Sequence, residues 1–364
     1  MSDYARLIEI FERLVAYPTI TGDKRAAFEC LQYVERSLTI AGLQPTRYSS
    51  NGFESLVATT TATKRPKVFL QAHLDVVPAS DDMFQLRRDG KKLIGRGAYD
   101  MKYAAACFLL LIEELGDKLG TYDFGVMFTT DEECDGSNGV KYLLEQGYGC
   151  EVCVLPDGGD KWRLETAAKG GWAVKATVRG KTSHGSRPWE GDNAIDKLLA
   201  FIHAANALVP EQARTGTTMV VSQIGGGNVH NQVPDVASAV FDFRFMNHPA
   251  GASIRESLSA LATAKDIELT NITDIQPIEL NVTLPAVEVW EQVVAAVRGR
   301  PSDEYALSFG ASDARYFAAC GIPVIVTRPD GGGHHSADEW IEEAGLYDFH
   351  ECVKRYIETT ARIG

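Results

Sequence analysis

Polar and apolar positions along the chain fall into distinct patterns. An apolar stripe at helical spacing opens it. Leu7, Ile8, Phe11, Leu14 and Val15 share one face of a helix predicted over about residues 3–15. A second amphipathic helix is predicted over about 23–41 and is closed by Gly42. Short β-rich runs follow at 55–59, 67–71, 124–129, 152–155 and 323–327. Most are continuously apolar rather than alternating, which is the pattern of strands buried on both faces. Helical segments at 101–115 and 139–146 lie between them. The expected fold is α/β, a mostly parallel central sheet with helices on both faces.

The middle of the chain reads differently. Runs at 172–178, 219–224 and 237–244 alternate apolar and polar residues, and helical stretches at about 193–208 and 253–264 sit among them. Half-buried strands with helices on one face make a small α+β domain. The first pattern resumes near Ala286. The expectation is a discontinuous larger domain, residues 1–168 and 284–364, interrupted by an insertion at 169–283.

Composition then narrows the class. The 364 residues carry 49 acidic and 36 basic side chains, a net charge of −13. That is the wrong sign for a nucleic-acid binder, whose affinity rests on a basic footprint. The longest apolar run, Ala104 to Ile112, is far short of the roughly 20 residues that span a bilayer, so no membrane partner is expected. The opening residues show neither a basic nor an apolar leader pattern. Seven scattered cysteines, an odd number, read as reduced thiols, and the expected location is cytoplasmic.

The informative fact is where polar residues interrupt the apolar runs. His73 and Asp75 follow the run at 67–71; Asp131, Glu132 and Glu133 follow 124–129; Asp157 follows 152–155; His334 and His335 follow 323–327. In open α/β sheets ligands bind beyond the carboxyl ends of the strands, so these residues would converge on one crevice. Asp100 joins them from a glycine-rich bend, Gly95-Arg96-Gly97-Ala98-Tyr99-Asp100. So many carboxylates repel one another unless cations sit among them. Imidazole and carboxylate donors without cysteine suit zinc or cobalt, and a carboxylate can bridge two ions roughly 3.5 to 4 Å apart. His73 and Asp75, two residues apart, would point the same way in an extended segment. The Asp75 carboxylate would then accept the free ring N–H of a metal-bound His73.

Taken singly, each element is ordinary: an acidic loop, an Asp beside glycines, a pair of histidines after Gly331-Gly332-Gly333. Other motifs fail. Gly95 to Asp100 lacks the third glycine of a dinucleotide fingerprint, and Lys175 stands where a P-loop ending at Gly180-Lys181-Thr182 needs glycine. Gly310-Ala311-Ser312-Asp313-Ala314 is one residue off a nucleophile elbow. Cys150 and Cys153 lead into a strand, whose alternation would point them to opposite faces.

In combination and order, these segments resemble the co-catalytic di-zinc aminoacylase and carboxypeptidase family. The similarity spans almost the whole chain, insertion included. It is carried by His73-x-Asp75, by Gly95-Arg96-Gly97-x-x-Asp100-Met101-Lys102, by Thr129-x-Asp131-Glu132-Glu133 and by His335-x-x-Asp338-Glu339. The resemblance implies two divalent metal ions per chain, zinc or cobalt. His73 and Asp157 would hold one ion, Glu133 and His335 the other, and Asp100 would bridge them. Glu132 would be the general base and Asp75 would orient the site. In the insertion, His184 within Gly180-Lys181-Thr182-Ser183-His184-Gly185 resembles a lid histidine that steadies an oxyanion, with Gly185 where serine is more usual. Asn231, Arg244 and Ser312 resemble substrate-gripping residues, although Arg244 could instead pair with Asp242 two residues away. The implied partners are a small N-acyl amino acid and a second copy of the chain, joined through the inserted lid and dimerisation domain. The implied activity is removal of the acetyl group from an amino acid of arginine biosynthesis, N-acetylcitrulline ahead of N-acetylornithine. Succinyl-diaminopimelate desuccinylation or dipeptide hydrolysis on the same scaffold is the alternative.

Overall fold

The computed structural model describes residues 3–302 and 304–363. The chain divides into two compact units. One comprises residues 1–166, 280–307 and 312–364, the other residues 167–279 and 308–311.

The first unit is built on a six-stranded sheet. Its order is Thr46–Ser50, Phe53–Thr59, Phe124–Thr129, Val68–His73, Val152–Val154, Val324–Ile325. The last four strands are parallel, and the first two run antiparallel to their neighbours. The sheet is therefore mixed, with its parallel strands in the majority. The reason is local: Asn51-Gly52, at φ 48° and 85°, makes a two-residue hairpin, a turn in which both central residues take positive φ. Leu56, Leu70, Ala72, Val126, Phe128 and Val154 face one fully buried core. Val57, Phe69, Met127 and Cys153 on the opposite face are buried as well. Both faces are covered, as the continuous apolar runs require.

The helix Lys102–Leu115 is buried along nearly its whole length, which is why its apolar residues show no polar stripe. The helix Asp3–Val15 is held at its C-terminal end by a buried cation: Lys102 Nζ donates to Leu14 O at 3.1 Å and Tyr17 O at 2.7 Å. Asp23 caps Lys24–Ile40 by accepting from the Arg25 and Ala26 N–H groups, each at 3.0 Å. An 18-residue helix, Glu343–Thr360, closes the unit. A second, small sheet of very short strands pairs Lys92–Ile94 with Trp340–Glu342, Trp340 opposite Ile94. It lays the bend at Gly95 to Asp100 beside the segment His335 to Glu339, with Gly95 N donating to Glu339 O at 3.1 Å.

The second unit carries a four-stranded antiparallel sheet, ordered Thr218–Gly226, Val236–Phe245, Gly170–Arg179, Glu268–Ile275. Its alternating inward residues, among them Val174, Ala176, Phe241 and Phe243, pack with Leu198 and Phe201 of Ala194–Asn206 and Ile254 and Leu258 of His248–Ala264. Trp172 stacks on Phe243 with ring centroids 5.4 Å apart. The strand Glu268–Ile275 is polar and largely exposed, so its sequence carries no alternation to read. No described helix is long and apolar enough to cross a membrane.

Candidate metal centre

The parallel strands of the first unit end together. His73 pairs with Thr129 in register, and Leu70 pairs with Val154. The chain leaves each strand end into a loop, and those loops carry Asp75, Glu132, Glu133 and Asp157. The small sheet brings in Asp100 and His335 from two other parts of the sequence. Two groups of potential metal donors result: His73, Glu132 and Asp157 in one, Asp100, Glu133 and His335 in the other. Within each group, one donor atom per residue lies within 4.8 Å of the others.

Asp100 touches both groups with different oxygens. Its Oδ1 is 3.1 Å from His73 Nε2 and its Oδ2 is 3.3 Å from His335 Nε2. That is the geometry expected of a shared carboxylate. Glu133 Oε2 is 3.1 Å from the same His335 nitrogen. Of the doubled histidines, His335 is the one that enters a donor group. It does so at φ 63°, a backbone region sparsely used outside glycine. Glu132 Oε2 stands 4.0 Å from His73 Nε2, so it can serve as a ligand as well as a base.

Asp75 contacts both His73 and the paired glutamates, with its carbonyl rather than its carboxylate nearer the ring. His73 Nδ1 lies 3.0 Å from the Asp75 backbone carbonyl and 3.5 Å from its carboxylate. A carbonyl only accepts, so Nδ1 carries the proton and Nε2 presents its lone pair to the cluster. The carboxylate serves the neighbouring loop instead. It accepts from Glu132 N and Glu133 N, each at 3.2 Å, and from Thr21 Oγ1 at 2.9 Å. One residue thereby fixes a ring tautomer and the paired glutamates together.

The electrostatics test whether divalent ions suit this donor set. Burial, then Asp157, pushes the Glu132 carboxyl well above the usual carboxylate range, and burial, then Asp100, does the same to Asp157. Burial works against a charged His73, yet Asp100 and Asp75 outweigh it and hold the ring well above its ordinary value. His335 is pushed up to about 10 by Asp100 and Glu133. The cluster thus gathers protons to relieve its own negative charge. A divalent cation at each donor group supplies the same positive charge, so the residues fit such ions.

Two further residues stand beside these ligands: Arg328, which the sequence analysis missed, and Glu339, which it gave in a motif without a role. Arg328 is buried beside Asp157, its Nη1 3.8 Å from Asp157 Oδ1, while its Nε donates to Asp160 Oδ1 at 2.7 Å and its guanidinium lies over the Tyr99 ring. Its signal was available, since it follows the apolar run 323–327 directly. The second is Glu339, whose carboxylate accepts the Asp100 N–H at 3.0 Å.

The remaining sequence candidates are placed less decisively. Ser312 is buried in the first unit, just before the helix Ala314–Ala319. In the second unit His184 is exposed, and Ser186 N donates to its Nδ1 at 3.2 Å. The ring proton therefore sits on Nε2, which is left as a donor. Asn231 lies beside it, its carbonyl accepting from Gly185 N at 2.8 Å. Arg244 does not present an open fork. Its Nε and Nη2 are engaged by Asp242 at 2.7 and 2.9 Å, because residues two apart on a strand share a face. Cys150 and Cys153 also depart from expectation. Cys150 precedes the strand Val152–Val154, so alternation does not reach it, and the two thiols are neighbours.

Comparison with known proteins gives a consistent result. The model of peptidase family M20/M25/M40 matches residues 69–359. A succinyl-diaminopimelate desuccinylase from Caulobacter vibrioides is 28% identical, with 97% of each chain covered. One from Delftia acidovorans is 25% identical, covering 98% of this chain and 99% of the other. A tripeptidase structure from Staphylococcus aureus shares the fold, with a TM-score of 0.83 at 20% identity and 98% of each chain covered.

Proposed function

The chain belongs to peptidase family M20/M25/M40, and from that premise we propose that it hydrolyses the amide of a small N-acyl amino acid at a two-ion centre. It is a metallohydrolase of amide bonds. The observation that carries the two-ion reading is Asp100, whose two oxygens face the two donor groups separately. The arginine-pathway substrate to which the sequence leaned gains no support from these relatives, which bear the desuccinylase name. N-Succinyl-diaminopimelate is therefore the first substrate of this reading, ahead of N-acetylcitrulline and N-acetylornithine.

The residue roles proposed here are those the resemblance implies, and the donor groups support them. His73 and Asp157 would hold one ion, Glu133 and His335 the other, with Asp100 between them. Zinc or cobalt suits these donors. Such ions, when bound, lower the pKa of a coordinated water to about 7. Glu132 accepts the proton of the attacking water and returns one to the leaving amine. Asp75 keeps Glu132 in place through its backbone N–H. By the resemblance given above, His184 would be the donor to the oxyanion that develops on the acyl carbonyl. Its replacement, His184→Ala, is expected to lower kcat by about 10² to 10³-fold, the usual cost of one oxyanion donor, with metal content unchanged. Loss of metal from that variant would make His184 a ligand instead.

The substrate is tested by amine release from N-succinyl-diaminopimelate, N-acetylcitrulline, N-acetylornithine and a dipeptide, in parallel, with a chelated control. Chelator-sensitive release fastest from the succinyl substrate is expected. Faster release from either acetyl substrate reverses the order proposed here. Release from none, with two ions bound per chain, refutes the N-acyl amino acid reading.

A further inference from the structure

The family motifs also contain Arg96 and Glu339, and the fold buries them against each other. Arg96 is 3% exposed and Glu339 is 0% exposed. Arg96 Nη1 donates to Glu339 Oε2 at 2.6 Å, and that oxygen also accepts Gly97 N at 3.1 Å. Glu339 Oε1 accepts Tyr99 N at 2.7 Å and Asp100 N at 3.0 Å. Four donors fill the acceptor directions of one carboxylate, and three of them are backbone groups of the bend that carries Asp100. Arg96 Nη2 reaches the other way, to Ser336 O at 3.0 Å, the residue after His335. Gly97, at φ +80°, has no room for a side chain, since a Cβ there would meet Lys102 Cδ at 2.8 Å.

Stability alone does not account for this pair. Desolvating two charges costs about as much as their attraction returns, and apolar replacements of a buried ion pair are often neutral or better. What an apolar pair cannot do is accept three backbone N–H groups at fixed positions while tethering a second loop. We infer that Arg96 and Glu339 are positioning residues that fix the spacing between Asp100 and His335, and with it the ion position formed by Asp100, Glu133 and His335. The His73 and Asp157 position leans on it less. His73 is held by the Asp75 carbonyl, and Asp157 is carried on a separate strand end with Arg328 beside it.

This inference rests on the two-ion reading, and calorimetric titration with zinc separates the failure of one from the failure of the other. Wild type binding fewer than two ions refutes the reading itself. With two bound in wild type, Glu339→Gln is expected to keep one ion near wild-type affinity and to weaken the other by about 10 to 100-fold, as is typical when a group supporting a ligand is altered. An amide there turns an N–H₂ toward donors that need an acceptor. Arg96→Lys keeps the positive charge but loses the fork that reaches Ser336, and is expected to weaken the same ion less. A lowered melting temperature with both affinities unchanged would make the pair structural and overturn the inference. Should Glu339→Gln fail to fold, Arg96→Lys decides: unchanged affinities overturn it, and selective weakening of one ion upholds it.

Discussion

Replacing Glu132 by Gln is expected to lower kcat by about 10² to 10⁴-fold, the usual contribution of a positioned general base, while two ions remain bound. The amide keeps the size of the side chain and an oxygen, but has no basic site for the water's proton. The backbone of residue 132 is held independently, because its N–H donates to Asp75 and not to its own side chain. The loop should therefore survive the change. The structure makes the measurement sharper than the sequence could. Glu132 falls within one donor group with His73 and Asp157, its Oε2 4.0 Å from His73 Nε2. Two roles are open to a carboxylate there, and metal analysis beside kinetics tells them apart. Lost turnover with both ions retained identifies the base. Lost turnover with one ion released identifies a ligand. Turnover near that of wild type excludes both.

Much of this centre was legible because burial makes a polar residue conspicuous. A strand such as Val68–His73, buried at every position, leaves no solvated face on which His73 could be ordinary. The same logic marked Glu132, Glu133 and Asp157, and would have marked Arg328 had it been applied to a cation. The helix Glu343–Thr360 was not among the expected elements, although Leu346, Phe349, Val353, Tyr356 and Ile357, buried at helical spacing, would have marked it. The hairpin at Asn51-Gly52, a strong local signal, would have added the two antiparallel edge strands to the expected, mostly parallel sheet.

What sequence could not supply was long-range pairing of short polar segments. Lys92–Ile94 and Trp340–Glu342 are three residues each, too short for a period. Yet their pairing is what places Glu339 against the Asp100 bend. Nor could it say by which atom Asp75 works, because a carbonyl and a carboxylate of one residue are a single letter. Arg244 is the opposite case. Alternation already placed it beside Asp242, and the local pairing is the one that formed.

The second large effect concerns Asp100, and it follows from counting acceptor oxygens. Asp100 has one oxygen 3.1 Å from His73 and another 3.3 Å from His335, and those two imidazoles hold its carboxyl well below the usual range although burial acts against it. Asn at this position is nearly isosteric and keeps one carbonyl oxygen, so it can serve only one ion, and its amino group faces the other. Asp100→Asn should therefore hold at most one ion after dialysis and lose at least about 10²-fold in turnover, beyond the 10 to 100-fold typical of a supporting partner. Glu133→Gln is the control, because Glu133 stands in one donor group only. It should release one ion and leave the His73 position loaded. Elemental analysis of the dialysed proteins reads both results. Two ions retained in Asp100→Asn would mean that the ions do not share this carboxylate. The two histidines would then belong to separate sites, and hydrolysis would have to be assigned to one of them.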